Sequence, residues 1–454
     1  MGRQSGYGAA RAVNDIETSR PQNGPMGESR TTDAARTRTA PDLGGLTVCL
    51  VGINYWPETT GIAPYTTAMA DALTDAGASV HVITGIPHYP QWKLQDERYA
   101  DGRRWEEMRD GVRITRVRHT IPETPDLTGR AKLEASFLRG ALREVRRDSS
   151  DIVIAVTPSL AGLAAGALGH GRRPFGVLVQ DLTGNAAGES GTTGGRASRL
   201  IASGEYALLR RADRIGVITP RFGDLLVQQG LPDGSISGLP NFTHITPVDV
   251  STSAARARLG WTPDAFTVVH TGNMGMKQGL ESVVEAARLS DTRDLGIEFV
   301  LVGDGNQRAA LEAQGAGIRS LRFVPPLDGD DYPYALAAAD ALLLNEKPGV
   351  REMSMPSKLT SYTSSRRPII AAVEDGGITE SVVREHGAAA IIPPGDPERL
   401  LQAAQDMRCD TEGAAALTTA AQRMYQNRYS PVSAHARYVR FAESLSVLGA
   451  GVRA

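Results

Sequence analysis

From Leu46 onward, short apolar runs alternate with segments whose apolar residues recur at helical spacing. The runs LTVCLVGI (46–53), VHVIT (80–84), DIVIAV (151–156), FGVLVQD (175–181) and RIGVIT (214–219) are almost continuously apolar. That is the pattern of strands covered on both faces. Between two of them, residues 62–76 place Ile62, Tyr65, Met69, Ala72, Leu73 and Ala76 on one side of a helix that stops at Gly77. Thr219-Pro220 supplies an N-cap and a first-turn proline for another helix. The alternation breaks over 239–265, around Pro240, Pro247 and Pro263, and then restarts. The second set is FTVVHTG (266–272), IEFVLVG (297–303), SLRFV (319–323), ALLLN (341–345), RPIIAAV (367–373) and AAAIIPP (388–394). The pattern predicts an α/β chain of two doubly wound Rossmann-like domains in series. Expected boundaries are a disordered tail over 1–42, a first domain over 43–240, a second over 241–425, and a final helix over 426–454 returning to the first domain.

Composition narrows the function. The 454 residues suffice for two ordinary cores, and the formal net charge of −2 gives no electrostatic footprint for nucleic acid. Cys49 and Cys409 are expected to be separate, buried, reduced thiols. No apolar run reaches the length of a membrane span, and the N-terminus has no apolar leader core. A cytoplasmic protein is expected, with at most peripheral contact at the inner face of a membrane. No strongly basic amphipathic helix stands out.

In open parallel sheets, ligands bind beyond the carboxyl ends of the strands, so two such domains are expected to share a cleft. In GINYWPETTGIAPYT (52–66), Thr60-Gly61 open a helix with Pro64 in its first turn, bare backbone suited to an anion or to a plain turn. HTGNMGMKQGLE (270–281) repeats the arrangement: Gly272, Asn273 and Gly275 come after a strand, and Lys277 precedes a helix expected to begin near Gln278. LVGDGNQRAALE (301–312) brings Gly303, Asp304 and Gly305, with Asp304 expected to cap the helix that holds Arg308 in its first turn. MPSKLTSY (355–362) offers Ser357 as an N-cap and Lys358 directly after it. Asp328-Gly329-Asp330 has the spacing of metal-dependent sugar transferases, yet it reads better as a helix cap, and no metal is assigned. His88, among Tyr89, Pro90 and Trp92, stands in a ring-rich wall suited to a sugar; His81, inside a strand, reads as packing. Asp181 ends a strand and either binds a sugar hydroxyl or caps the next segment. The small polar stretch LTGNAAGESGTTGG directly after it reads as a mobile loop.

Taken in order over residues 46–405, GINYWPETTGIAPYT, GIPHYPQW, VQDL, TGNMGMKQGLE, LVGDGNQRAAL and MPSKL resemble glycosyltransferase family 4, whose fold is GT-B. The nearest likeness is to bacterial colanic-acid-type and fucosamine-type sugar transferases. The resemblance implies a nucleotide-sugar donor held mainly by the second domain and a glycan or lipid-linked acceptor held mainly by the first. It also implies retained configuration, no metal, and no cofactor beyond the nucleotide-sugar substrate. By the same likeness Gly61 lies by the donor phosphates, Asn273 and Lys277 contact the diphosphate, and Lys277 neutralises the leaving group. Ser357, Lys358 and Leu359 lie along the donor phosphate and ribose. Gly272, Gly275, Gly303, Asp304, Gly305 and Arg308 complete the donor side, and His88 and Asp181 join Lys277 as candidates for the chemistry. Two departures stand out. Ser361 occupies the position of a family glutamate that holds the donor ribose, with Met353 where its partner glutamate is expected and Glu352 one place off. After VQDL the chain runs Leu182-Thr183-Gly184-Asn185 in place of the Trp-Pro pair of many relatives.

Two other classes compete: a nucleotide-sugar epimerase of the same architecture, and a non-catalytic nucleotide-sugar-binding subunit. The first needs a cluster of acid/base side chains that the sequence does not supply. A dinucleotide-dependent dehydrogenase is disfavoured, because no G-x-G-x-x-G stands after the first strand.

Overall fold

The computed structural model describes residues 41–124, 126–182, 195–350 and 356–453. The tail over 1–40, most of the stretch after Asp181, Glu352 and Met353 therefore lie outside the described residues. The chain divides into two compact units: one runs to Leu239 and resumes at His435, and the other spans Pro240–Ala434.

The first unit is built on β1 (Thr47–Val51), β2 (Ser79–Gly85), β3 (Arg104–Arg109), β4 (Val112–Val117), β5 (Ile152–Val156), β6 (Phe175–Val179), β7 (Arg214–Val217) and β8 (Ile236–Gly238). They form one sheet in the order β3-β4-β2-β1-β5-β6-β7-β8, parallel except for the β3–β4 pair. The second sheet contains β9 (Phe266–Thr271), β10 (Ile297–Val302), β11 (Leu321–Val324), β12 (Ala341–Asn345), β13 (Ile369–Ala372) and β14 (Ala390–Ile392), ordered β11-β10-β9-β12-β13-β14. Both sheets are doubly wound, and the strand order reverses between β1 and β5 in one and between β9 and β12 in the other. Those switch points are where ligands bind in folds of this kind.

Burial on both faces explains the continuous apolar runs. In β12, Leu342 and Leu344 join one core cluster of the second unit, while Ala341 and Leu343 join the cluster on the opposite face. Alternation across the pleat survives, but both directions are apolar. The helix Pro431–Arg453 lays Phe441 and Leu445 against β6, where Gly176 leaves room. A Cβ on Gly176 would stand 2.5 Å from Leu445 Cδ1.

The structure departs from the sequence reading in several places. The antiparallel β3–β4 hairpin was not foreseen; its polar, alternately exposed strand carries no apolar run, and its signal is the Asp110-Gly111 turn, both residues at positive φ. Cys409 is exposed, since it ends the helix Pro397–Cys409, while Cys49 is buried as expected. His81 does more than pack: its Nδ1 donates to Asp148 at 2.6 Å while Thr115 meets its Nε2 at 2.8 Å. Burial opposes the Asp148 charge, yet hydrogen bonds from His81 and Ser150 outweigh it and hold this carboxyl down at about 2.

A basic amphipathic helix does exist. In Leu127–Arg147, Arg130, Lys132, Arg139, Arg143, Arg146 and Arg147 are exposed, while Leu133, Phe137, Ala141 and Val145 are buried. Its two acids turn inward: Glu134 accepts from Ser159 and Ala161, and Glu144 is buried against Arg104. Spread over 21 residues of mixed charge, this segregation shows only once the faces are known.

Candidate active site

In the second unit, the residues picked out by sequence converge at the carboxyl ends of β9, β10 and β12. The loop after β9 and the loop after β10 interlock. Gly303 has φ +139°, and a Cβ there would overlap the Gly272 carbonyl oxygen. A Cβ on Gly305 would come 2.5 Å from Met274 O and 2.6 Å from Asn273 Oδ1. The bare backbone is thus required first by the neighbouring loop. Two hydrogen bonds seal the contact: Met274 N–H donates to Asp304 O at 2.8 Å, and Gln307 N–H to Met274 O at 3.0 Å. Arg308 donates to the Gly303 and Val324 carbonyls, fixing the rim rather than reaching outward.

The β12 end is stitched to the same loop. Asn345 Nδ2 donates to Gln278 O at 2.6 Å, and Lys347 N–H donates to Lys277 O at 2.8 Å. Lys277 itself is half-buried and lies in a 3-10 turn, Met276–Gln278; the α-helix begins only at Glu281, later than expected. Asp304 does not cap the next helix: it accepts from the Gly305 N–H, and Gln307 holds the cap position. Pro356, not Ser357, is the N-cap of Ser357–Ser364, so Ser357 and Lys358 form the positive first turn of that helix. Leu359 is buried in the core and its N–H is used by Pro356 O, which leaves it a packing role. Ser361 is buried as well; its hydroxyl donates to Lys358 O at 3.0 Å and meets Tyr332 at 3.3 Å.

Lys358 is the electrostatic centre of this group. Its Nζ donates to His270 Nε2 at 3.0 Å and lies beside Gly272, 4.0 Å from where a Cβ would stand. Burial pulls its pKa down to about 7, with Glu346 opposing. Burial likewise pushes Glu346 up to about 7, against a hydrogen bond from Thr379 and the charge of Lys358. A half-buried cation poised near neutrality, beside exposed Asn273 and a glycine loop, suits an incoming polyanion.

In the first unit, the β1 loop is held from below. Arg116 on β4, almost wholly buried, donates to Trp56 O at 2.6 Å and Gly85 O at 3.2 Å. Glu58 clamps the next loop: Oε1 accepts from the His88 and Tyr89 N–H groups, both at 2.8 Å, and Oε2 from Asn54 at 2.7 Å. Burial raises the Glu58 pKa while these bonds restrain it. His88 donates from Nδ1 to Ile86 O at 3.0 Å, and its ring meets His119 edge-on at 4.6 Å. Burial lowers both imidazoles, His119 to about 4, so both are neutral at pH 7. Gly61 has φ +66°, and a Cβ there would press on the Tyr89 ring at 3.1 Å. Asp181 follows β6; burial lifts its carboxyl to about 6, against the hydrogen bond it accepts from the Leu182 N–H. The Asp328 carboxylate accepts from the N–H groups of Asp330 and Asp331, so the D-x-D stretch closes a turn.

The sequence reading missed Glu58, Arg116, His119, His270 and Glu346. Glu58 was within reach, since it lies inside GINYWPETTGIAPYT. The others gain their meaning only from burial and pairing.

Comparison with known proteins fits this layout. A family model described as a glycosyl transferase 4-like domain matches residues 60–241, and one described as glycosyl transferases group 1 matches residues 265–410. A protein of Escherichia coli (strain K12), WcaI, provisionally named a colanic acid biosynthesis glycosyl transferase, is 31% identical over 77% of this chain and 86% of its own length. A 2-deoxystreptamine glucosyltransferase of Streptomyces kanamyceticus is 27% identical over 69% of this chain and 81% of its own. Among solved structures, sucrose-phosphate synthase from Thermosynechococcus elongatus aligns over 89% of this chain and 100% of its own with a TM-score of 0.65 at 16% identity. Anabaena HepE in complex with UDP-glucose aligns over 88% of this chain and 100% of its own, with a TM-score of 0.60 at 15% identity.

Two outcomes are expected. Removing the Glu58 carboxylate orphans the buried His88 N–H and the half-buried Tyr89 N–H, so Glu58→Ala lowers the melting temperature of the first unit by roughly 5–10 °C, while Glu58→Gln, which keeps an acceptor, loses less than half of that. The second concerns pH. A folded Glu346 pKa above its unfolded value gives stability that is lost as pH rises toward 7, and a folded Lys358 pKa below its unfolded value gives stability that returns above 7. The melting temperature should therefore climb from pH 7 to 9 in the native protein and stay flatter in Lys358→Met; parallel curves would contradict the assignment.

Proposed function

We propose, from the premise that this chain belongs to the family-4 glycosyltransferases of GT-B fold, that it transfers a sugar from a nucleotide-sugar donor to a glycan or lipid-linked acceptor with retained configuration. The observation that carries the donor half is the convergence of Gly272, Asn273, Lys277 and Lys358 at the switch point of the second sheet. There the positive first turn of Ser357–Ser364 adds to two lysines.

In this mechanism the second unit holds the diphosphate. The Gly272–Gly275 backbone approaches it, Asn273 orients it, and Lys358 and Lys277 meet the charge that grows as the bond from sugar to diphosphate breaks. With cations already in place, departure needs neither a bound metal nor a further cofactor. The acceptor lies with the first unit, against the wall of His88, Tyr89 and Trp92. In the same unit Asp181, with its raised pKa, holds or relays a proton of the acceptor hydroxyl. The epimerase and non-catalytic readings are not favoured, since the relatives compared are named as transferases.

Structural relatives bound to UDP and UDP-glucose make a uridine donor the first to test here. The relative named for colanic acid biosynthesis points to a cell-envelope or exopolysaccharide acceptor. No described helix is long and apolar enough to cross a membrane. The exposed cations of Leu127–Arg147 fit peripheral contact with an anionic lipid surface at the cytoplasmic face.

Three measurements test this reading. In a melting panel of UDP, ADP, GDP and dTDP with their common sugar conjugates, one nucleotide should stabilise selectively, and its sugar conjugate further. Lys277→Ala should cut turnover at least ~tenfold in a folded protein, whereas an unchanged rate removes it from the leaving-group role. On co-sedimentation, the protein should pellet with phosphatidylglycerol vesicles and not with phosphatidylcholine alone. Reversing Arg139, Arg143 and Arg146 to Glu should release it, and retention would place the contact elsewhere.

A further inference from the structure

His270 is the penultimate residue of β9, fully buried in a strand whose preceding residues Val268 and Val269 fill the two cores. A polar ring at such a position needs partners on both nitrogens. One is the Leu343 carbonyl of β12, 3.1 Å from Nδ1. A carbonyl only accepts, so Nδ1 carries the hydrogen and Nε2 keeps its lone pair. That lone pair faces the Lys358 ammonium at 3.0 Å. The charged group facing the ring is Lys358, from the helix Ser357–Ser364; the Asn273 backbone carbonyl also lies within its reach, and Glu346, beyond the end of β12, faces Lys358 rather than the ring.

This geometry solves a problem for a flexible side chain. A lysine stem has four rotatable bonds and loses conformational freedom wherever its head is fixed. The imidazole is fixed by the sheet itself, because the carbonyl that orients it belongs to the strand next to β9. An acceptor rigidly placed beside Gly272 selects one lysine conformation before any ligand arrives. A neutral acceptor also leaves the positive charge available, as a carboxylate there would not.

We propose that His270 is a positioning residue: its neutral imidazole, anchored on the Leu343 carbonyl, holds the Lys358 ammonium beside Gly272 in readiness for a nucleoside diphosphate. The inference rests on the donor-site reading above. It assigns His270 no contact with the donor; the ring acts through the lysine.

Titration calorimetry of UDP, with ADP, GDP and dTDP as alternates, tests it on the full chain. The proteins are the native form, His270→Leu, His270→Gln, Lys358→Met and the His270→Leu/Lys358→Met double variant. His270→Leu should weaken binding of the preferred diphosphate by at least ~tenfold, the scale of one hydrogen bond to a charge. In the Lys358→Met background the same change should add less than about twofold, because the effect passes through the lysine. Glutamine carries both a donor and an acceptor, so His270→Gln should bind within about threefold of native. If His270→Leu does not fold, His270→Val carries the same cycle. Native-like binding by the apolar variant overturns the proposal, as does a loss that persists in full without Lys358. Failure of the native protein to bind any of the four overturns the donor-site reading and this inference with it; native binding with an indifferent His270 overturns the inference alone.

Discussion

A lysine ammonium taken largely out of water is the constraint on which the second unit turns. Desolvation works against the charge, and the positive first turn of the helix that carries Lys358 adds to the difficulty; the chain meets it with His270 from β9 and Glu346 from beyond β12. Placing the cation there also fixes what the surrounding loops are allowed to be. The β9 loop passes beside the lysine without a side chain at Gly272, and the β10 loop packs on that backbone so closely that Gly303 and Gly305 have no room for one. The glycines therefore serve the loops' mutual packing, and the anion site is what the packed loops leave between a lysine and bare amides.

The first unit solves a different problem, that of holding long loops still. Its β1 loop has no regular partner, so the carbonyl of Trp56 is secured by Arg116 from β4, and the amides of His88 and Tyr89 are secured by Glu58 from the β1 loop. The β3–β4 hairpin supports the same arrangement, since Glu107 on β3 pairs with the Arg116 guanidinium at 3.1 Å and takes a hydrogen bond from Tyr99. Each clamp joins segments distant in sequence, which is why loops rich in proline and glycine keep one shape.

Much of the fold was legible because parallel strands covered on both faces write themselves as unbroken apolar runs, as at Ala341–Asn345. The hairpin was not, because Arg104–Arg109 is polar and half exposed, and only its turn carried a sign. At the site, glycines and lysines after strands were readable from position, whereas their partners were not. His270 resembles any strand histidine until its two nitrogens find Leu343 and Lys358, and Glu346 resembles any loop acid until burial raises its pKa. Capping was misjudged at Asp304 and Ser357, where Gln307 and Pro356 hold the cap positions. Such choices depend on a single backbone angle that composition does not fix.

The most direct test of the central claim is amide hydrogen exchange on the full chain with and without saturating nucleoside diphosphate, UDP first. A diphosphate at this site should slow exchange at Gly272–Gln278 and in the first turn of Ser357–Ser364, and leave the amides at the opposite, amino ends of β9 and β12 unchanged. Protection that falls elsewhere in either unit, with these amides exchanging as before, would contradict the account.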